Sequence, residues 1–259
     1  MPRLEPNRWL VLLLAATSGL LTEAAFPDRG WWGAAFVGMA LLFLALRRDS
    51  ARWNALVGLV WGLAFFAPHI TWANYVVGRV PWVALSVFEA LYIALFGVLW
   101  TWARRGTAIW RSPGLQVTAF VVIWVAVEEL RSVAPFGGFP WGRLAFSQAD
   151  SPLARLAWLG GAPLVSAAVV AVGALLAVGL LAARRLAIVR TGAAVGLALL
   201  LVFVGLLVPL DTQAQEGQLR VGAVQGNVPT PGADAFSQAR EVLHLHALGT
   251  KALLDQVAP

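Results

Sequence analysis

Seven apolar runs occupy most of the chain: 9–26, 31–46, 53–70, 81–103, 115–130, 156–183 and 186–210. A helix needs about 20 apolar residues to cross a bilayer, within a range of about 17–25. The second and fifth runs are short. The pattern predicts an all-α polytopic membrane bundle of about seven transmembrane helices over residues 1–210. The first run, with Arg3 and Arg8 ahead of an apolar core, also has the form of a signal peptide. Retained as a helix, it fits the charge alternation described below.

The pattern changes after residue 210. "DTQAQEGQ" (211–218) reads as a polar linker. "LRVGAVQGNVP" reads as a buried β-strand over 219–224, followed by a turn at Gly226 and Asn227. Beyond it, Ala235, Ala239, Val242, Leu243 and Leu245 fall near helical spacing and predict an amphipathic helix. A strand followed by a helix opens an α/β unit, and two such elements cannot bury a core of their own. Residues 219–259 are therefore expected to be the first part of a further domain.

Composition agrees with the membrane reading. Hydrophobic residues make up 59% of the chain and charged residues 12%, with a mean hydropathy of +0.75. A soluble domain has about 45–50% and about 25% respectively. The net charge of +6 is no nucleic-acid footprint, because the arginines sit in small clusters between apolar runs. With the N-terminus in the cytoplasm, eleven arginines fall inside: 3, 8, 47, 48, 52, 104, 105, 111, 184, 185 and 190. Five fall outside: 29, 79, 131, 143 and 155. That asymmetry is the positive-inside pattern. It places the residue 131–152 segment and the C-terminal segment on the extracytoplasmic side. There is no cysteine, which excludes disulfides, thiolate metal sites and a thiol nucleophile within these 259 residues.

Candidate chemistry concentrates around 124–148. Trp124, Glu128 and Arg131 share one helical face at i, i+4 and i+7, and Glu128 and Arg131 have the spacing of an ion pair. Such a pair at a helix end is also an ordinary interfacial feature. Glu129 points elsewhere and is expected to be solvated. Next comes "GGFPWGR", in which Gly137 and Gly138 permit a sharp turn and Pro140 restricts the following one. Phe136, Phe139 and Trp141 would offer rings at the membrane surface, with Arg143 available to a phosphate. The segment reads either as a plain interfacial loop or as a lipid-contacting lip.

Glu89 lies deep in the fourth run, with Tyr92 nearby. It is either a functional intramembrane acid or a hydrogen-bonded structural one. His69 reads as a wet helix end. His244 and His246 point to different helix faces and make no joint metal site; Lys251 reads as a solvated helix lysine.

These residues resemble a family, the bacterial apolipoprotein N-acyltransferases. The similarity is carried by Trp124, Glu128 and Arg131, then "GFPW" (138–141), then 145–148, where Ala145 stands in place of the family's usual Gly. "GLVWGLAFFAPHITWANY" (58–75) is similar to an early span, and "VGAVQGNVP" (221–229) to the opening strand of a nitrilase-like domain. The resemblance implies a multi-pass protein of the bacterial plasma membrane with that domain outside. It implies acyl transfer from a membrane phospholipid, through a thioester, to the α-amine of the N-terminal diacylglyceryl-cysteine of an apolipoprotein. No cofactor and no metal are implied. The family's catalytic Glu, Lys and Cys are expected beyond Pro259, so these residues alone are expected to be inactive. Trp124, Glu128, Arg131, Phe139, Pro140, Trp141 and Arg143 become candidates for the substrate entrance. A seven-span transporter and a non-catalytic membrane scaffold remain alternatives; the first predicts repeats or broken helices around polar groups at mid-membrane.

Overall fold

The computed structural model describes residues 7–210, 217, 219, 221–227 and 238–257, with side chains to 254. The described residues form helices and connecting segments, with no strand among them. The chain falls into two compact units: 1–69 with 86–210, and 70–85 with 211–259.

In the first unit each predicted apolar run is a helix. They are α1 (Arg8–Glu23), α2 (Ala34–Ala45), α3 (Ala51–His69), α5 (Arg79–Arg104, shared with the second unit), α7 (Pro113–Val133), α8 (Ala157–Ala183) and α9 (Ile188–Val204). A short α6 (Thr107–Arg111) joins α5 to α7. Four described helical segments are long and apolar enough to cross a membrane: Arg79–Arg104, Pro113–Val133, Pro152–Ala183 and Ile188–Leu207. The other three fall short for separate reasons. α1 has 16 residues and α2 has 12, below the span requirement. α3 has 19 but carries Arg52, Asn54 and His69.

Packing between the helices depends on small residues. Between helices in lipid, association comes from close van der Waals contact rather than from removing apolar surface from water. Gly62 of α3 lies against Ala90 of α5, and Gly58 against the Ile93 carbonyl; a Cβ at either glycine would overlap its neighbour. Ser18 of α1 donates to the Gly38 carbonyl of α2 at 2.6 Å, and Trp61 Nε1 of α3 donates to Ser18 Oγ at 2.9 Å. These polar bonds join three helices at a buried point. Around it Trp61, Phe65, Phe96, Phe120 and Trp124 interlock largely edge to face, as their ring quadrupoles favour. α8 breaks near its start, where Gly160 and Gly161 leave helical geometry just before Pro163. The proline lacks an N–H to continue the ladder, and Gly161 takes φ +65.

The second unit contains α4 (Trp72–Val77), the start of α5 and α10 (Ala239–Val257). α10 matches the predicted amphipathic helix, although Ala235 lies outside the described residues. So do Arg220 and the linker 211–218, apart from Gly217. The expected strand does not form at the described positions: 221–227 is irregular, running beside α10 with Gly222 against Leu253 and Val224 against Gly249. A strand exists through its ladder partner, and no partner strand lies among the described residues. Leu219 and Val221 are correspondingly exposed.

Candidate site at the end of helix α7

The last turns of α7 and the segment after it form a polar knot inside the first unit. Arg131 is at its centre. Its Nη1 donates to Glu89 Oε2 of α5 at 3.0 Å, to the Phe139 carbonyl at 2.7 Å and to the Trp141 carbonyl at 2.8 Å. Nη1 carries two protons, so one of them is shared between acceptors. The side chains of Arg131 and Glu89 are 2% and 1% exposed. The guanidinium also lies over the Phe66 ring, 5.2 Å from its centroid. In return, the Arg131 carbonyl accepts from Phe139 N at 2.9 Å. One residue thus anchors both strands of the loop it begins.

Glu128 supports the next segment. Its Oε1 accepts from Leu144 N at 2.9 Å and, more weakly, from Trp124 Nε1 at 3.4 Å. Its Oε2 is buried and has no protein partner. Glu128 lines a cavity of about 10 Å³ together with Phe65, Phe66, Trp124 and Arg131, about the size that holds one water. Arg143 returns to α7, with Nη2 on Glu129 Oε2 at 2.8 Å and Nε on Ser132 Oγ at 2.9 Å. Further along, Ala145 N donates to Ser166 Oγ of α8 at 3.0 Å, and Gln148 Nε2 donates to the Trp32 carbonyl at 3.1 Å. Tyr92 Oη of α5 donates to the Ala134 carbonyl at 2.7 Å.

The sequence-derived candidates separate by exposure. Glu89, Trp124, Glu128 and Arg131 are buried, Phe139 and Arg143 are half-buried, and Pro140 and Trp141 are exposed. Three local expectations are corrected. Arg131 bonds to Glu89 rather than Glu128, because the loop backbone competes for Glu128. Glu129 is not merely solvated but receives Arg143. His69 is no plain wet helix end either: it stacks on Phe65 at 5.0 Å between centroids and meets Phe26 edge-on at 4.4 Å. At the tip, Phe136, Gly137 and Gly138 have φ of 55, 93 and 74. Phe136 is a fully exposed phenyl held in a conformation that disfavours side chains. The knot's carboxylates accept from backbone, indole or guanidinium N–H groups, and no nucleophile is paired with a base in it among the described residues. Its chemistry is positional: it fixes a ring-bearing loop on a rigid helical floor.

Residues 18–175 match the family described as the apolipoprotein N-acyltransferase N-terminal domain. The chain belongs to this family. The matched region of this N-acyltransferase-family chain runs from α1 into α8 and includes the whole knot. A protein of Mycolicibacterium smegmatis named apolipoprotein N-acyltransferase is 37% identical, over 97% of this chain and 44% of its own length. Proteins of the same name are 33% identical in Ralstonia nicotianae, over 95% of this chain and 47% of theirs, and 29% identical in Thermosynechococcus vestitus, over 86% and 45%. The chain spans about half the length of the curated relatives it matches. Sequence reasoning missed Ser132 and Ser166 as parts of the N-acyltransferase-family knot, and it gave Gln148 only as part of the family resemblance at 145–148. Single hydroxyls and amides in apolar helices give no pattern until the loop they bind is in place.

Proposed function

We propose that this chain supplies the membrane part of an apolipoprotein N-acyltransferase. Such an enzyme transfers a fatty acyl chain from a membrane phospholipid to the α-amino group of the N-terminal diacylglyceryl-cysteine of apolipoproteins. The observation that carries this reading is the family match over residues 18–175, joined by relatives of that name aligned along nearly the whole chain. In this reading α1, α2 and α3 cross the bacterial plasma membrane along with the four longer spans. The N-terminus is cytoplasmic, which the arginine asymmetry supports. Residues 219–259 then belong to an extracytoplasmic nitrilase-like domain that supplies the acyl-carrying thiol.

The loop after α7 is the lipid-contacting lip of that enzyme. Phe139, Pro140 and Trp141 meet acyl chains, Arg143 lies near the phosphate level, and Trp124, Glu128, Arg131 and Glu89 hold the loop in place. The transporter alternative needs a polar path at mid-membrane. Glu89, the deep acid, is instead bonded to Arg131 in a closed structural pair.

A chimera tests the proposal. Residues 1–210 are joined to the remaining part of the Mycolicibacterium relative and expressed in a strain depleted of its own N-acyltransferase. N-acylated lipoprotein termini, read by mass spectrometry of the N-terminal peptide, are expected from the chimera and not from the 259 residues alone. A membrane-inserted chimera that yields only free α-amines overturns the reading.

A further inference from the structure

The turn between α8 and α9 breaks two local rules at once. Leu186 closes it with φ 55, in the left-handed region where glycine is the usual residue. It is also 87% exposed. The turn is tightly bonded all the same: Ala187 N donates to the Ala182 carbonyl at 3.0 Å, and Leu186 N to the Ala183 carbonyl at 2.9 Å. Ile188 and Val189, just beyond it, are exposed as well. Three apolar side chains are therefore displayed on a fixed backbone, one of them at a steric cost.

An open cavity of about 360 Å³ lies against this turn, lined by Ala183, Leu186, Ile188, Thr191 and Gly192. That is within the range of about 300–1,000 Å³ common for ligand sites. Gly192 leaves it clear, since a Cβ there would meet nothing within 4 Å. Thr191 Oγ1 donates back to the Ala187 carbonyl at 3.1 Å, so its hydroxyl is already engaged. Arg184 and Arg185 directly precede Leu186, Arg190 directly precedes Thr191, and all three are exposed. Among the described residues none of the three takes part in an ion pair. No Asp or Glu occurs from 151 to 210, so α8, α9 and their turn are cationic at this end. Charge asymmetry for membrane orientation requires only the arginines. It does not require apolar residues displayed among them beside an open cavity. A basic pocket between transmembrane helices is the form that holds acidic lipid headgroups, and guanidinium binds phosphate through paired N–H donors.

We propose that the α8–α9 turn binds one anionic phospholipid, with an acyl chain in the cavity and the phosphate at Arg184, Arg185 and Arg190, on the leaflet opposite the 131–152 loop. This inference rests on the membrane reading above and concerns neither the acyl donor nor the reaction.

The test uses the full 259-residue chain in detergent micelles, titrated with phosphatidylglycerol or phosphatidylcholine and read by native mass spectrometry. Tighter retention of one phosphatidylglycerol is expected. R184Q/R185Q should weaken it roughly 30-fold, since each interfacial arginine adds about a factor of five. R52Q/R111Q removes the same charge from exposed positions on the same side and should change it less than about twofold. G192L fills the cavity with a good helix former and should weaken retention of both lipids about fivefold, as expected when acyl methylenes are displaced. The charge and cavity variants act on different halves of the site, so either keeps the test valid if the other misfolds. Equal retention of the two lipids, equal loss in R52Q/R111Q, or full retention in G192L overturns the proposal. A dimer that G192L dissociates gives the cavity to a second copy and overturns it too. A chain that stays in the aqueous phase without detergent overturns the membrane reading as well, whereas a membrane-bound chain with no lipid preference overturns this inference alone.

Discussion

Arg131 and Glu89 meet at 3.0 Å across 42 positions of sequence, with side chains almost wholly buried. The pair joins α7 to α5, and the same guanidinium nitrogen holds the Phe139 and Trp141 carbonyls. Removing one member of a buried pair leaves an uncompensated charge and costs about 3–5 kcal/mol. Arg131→Met is therefore expected to lower the melting temperature in detergent by on the order of 10 °C. Glu89→Gln/Arg131→Met removes both charges and should recover part of the loss. A double variant no more stable than Arg131→Met would show that the carbonyl bonds, not the ion pair, carry the stability.

Glu128 is a backbone acceptor as well as a charge. Its Oε1 receives Leu144 N, a buried donor. Glu128→Ala leaves that N–H without its partner, at about 1–3 kcal/mol. Glu128→Gln keeps an amide oxygen in the same place and should cost less than half as much. Thermal unfolding of the two variants side by side distinguishes the roles: equal losses would mean that the charge, not the acceptor, matters.

The helices of the first unit were legible because apolar runs of spanning length have few other structural solutions. α5, α7 and α8 begin and end within a few residues of the predicted runs. The partners inside the site were less legible. Trp124, Glu128 and Arg131 share a face as their spacing requires, but helical spacing cannot say which neighbour wins when a loop backbone competes. Arg131 took Glu89, and Glu128 took the Leu144 amide. Glu129, on another face, was legible only once Arg143 had been turned back by the glycines before it. The strand expected at 219–224 depends on hydrogen bonds from another segment, which local sequence cannot supply.

Gly137 and Gly138 predict different outcomes although both have positive φ. An alanine Cβ at Gly137 would meet nothing within 4 Å, whereas one at Gly138 would collide with the backbone of Ser132 and Val133. Gly137→Ala should cost only the left-handed backbone penalty, about 1–2 kcal/mol. Gly138→Ala should additionally force the loop off α7, breaking the Phe139 N bond to the Arg131 carbonyl. Limited proteolysis across 134–142 should accelerate strongly for Gly138→Ala and little for Gly137→Ala. Similar rates for the two would place the loop's anchor elsewhere.

Trp141 connects the knot to the proposed lipid contact. Its carbonyl is bonded to Arg131, while the residue is 55% exposed, with its ring beside Phe139 at 6.4 Å between ring centroids. Trp141→Ala keeps the carbonyl that Arg131 holds and removes the ring, which is more than half exposed. In the catalytic chimera the same change should slow acyl transfer from phospholipid about five- to tenfold, as expected if one aromatic contact of about 1–1.4 kcal/mol is lost. Trp141→Phe keeps a ring and should restore most of the rate. Single-turnover loading of the thiol separates this effect from the second transfer to the apolipoprotein amine. A rate of thioester formation unchanged in Trp141→Ala, with the chimera folded and inserted, would remove the loop from the path of the lipid.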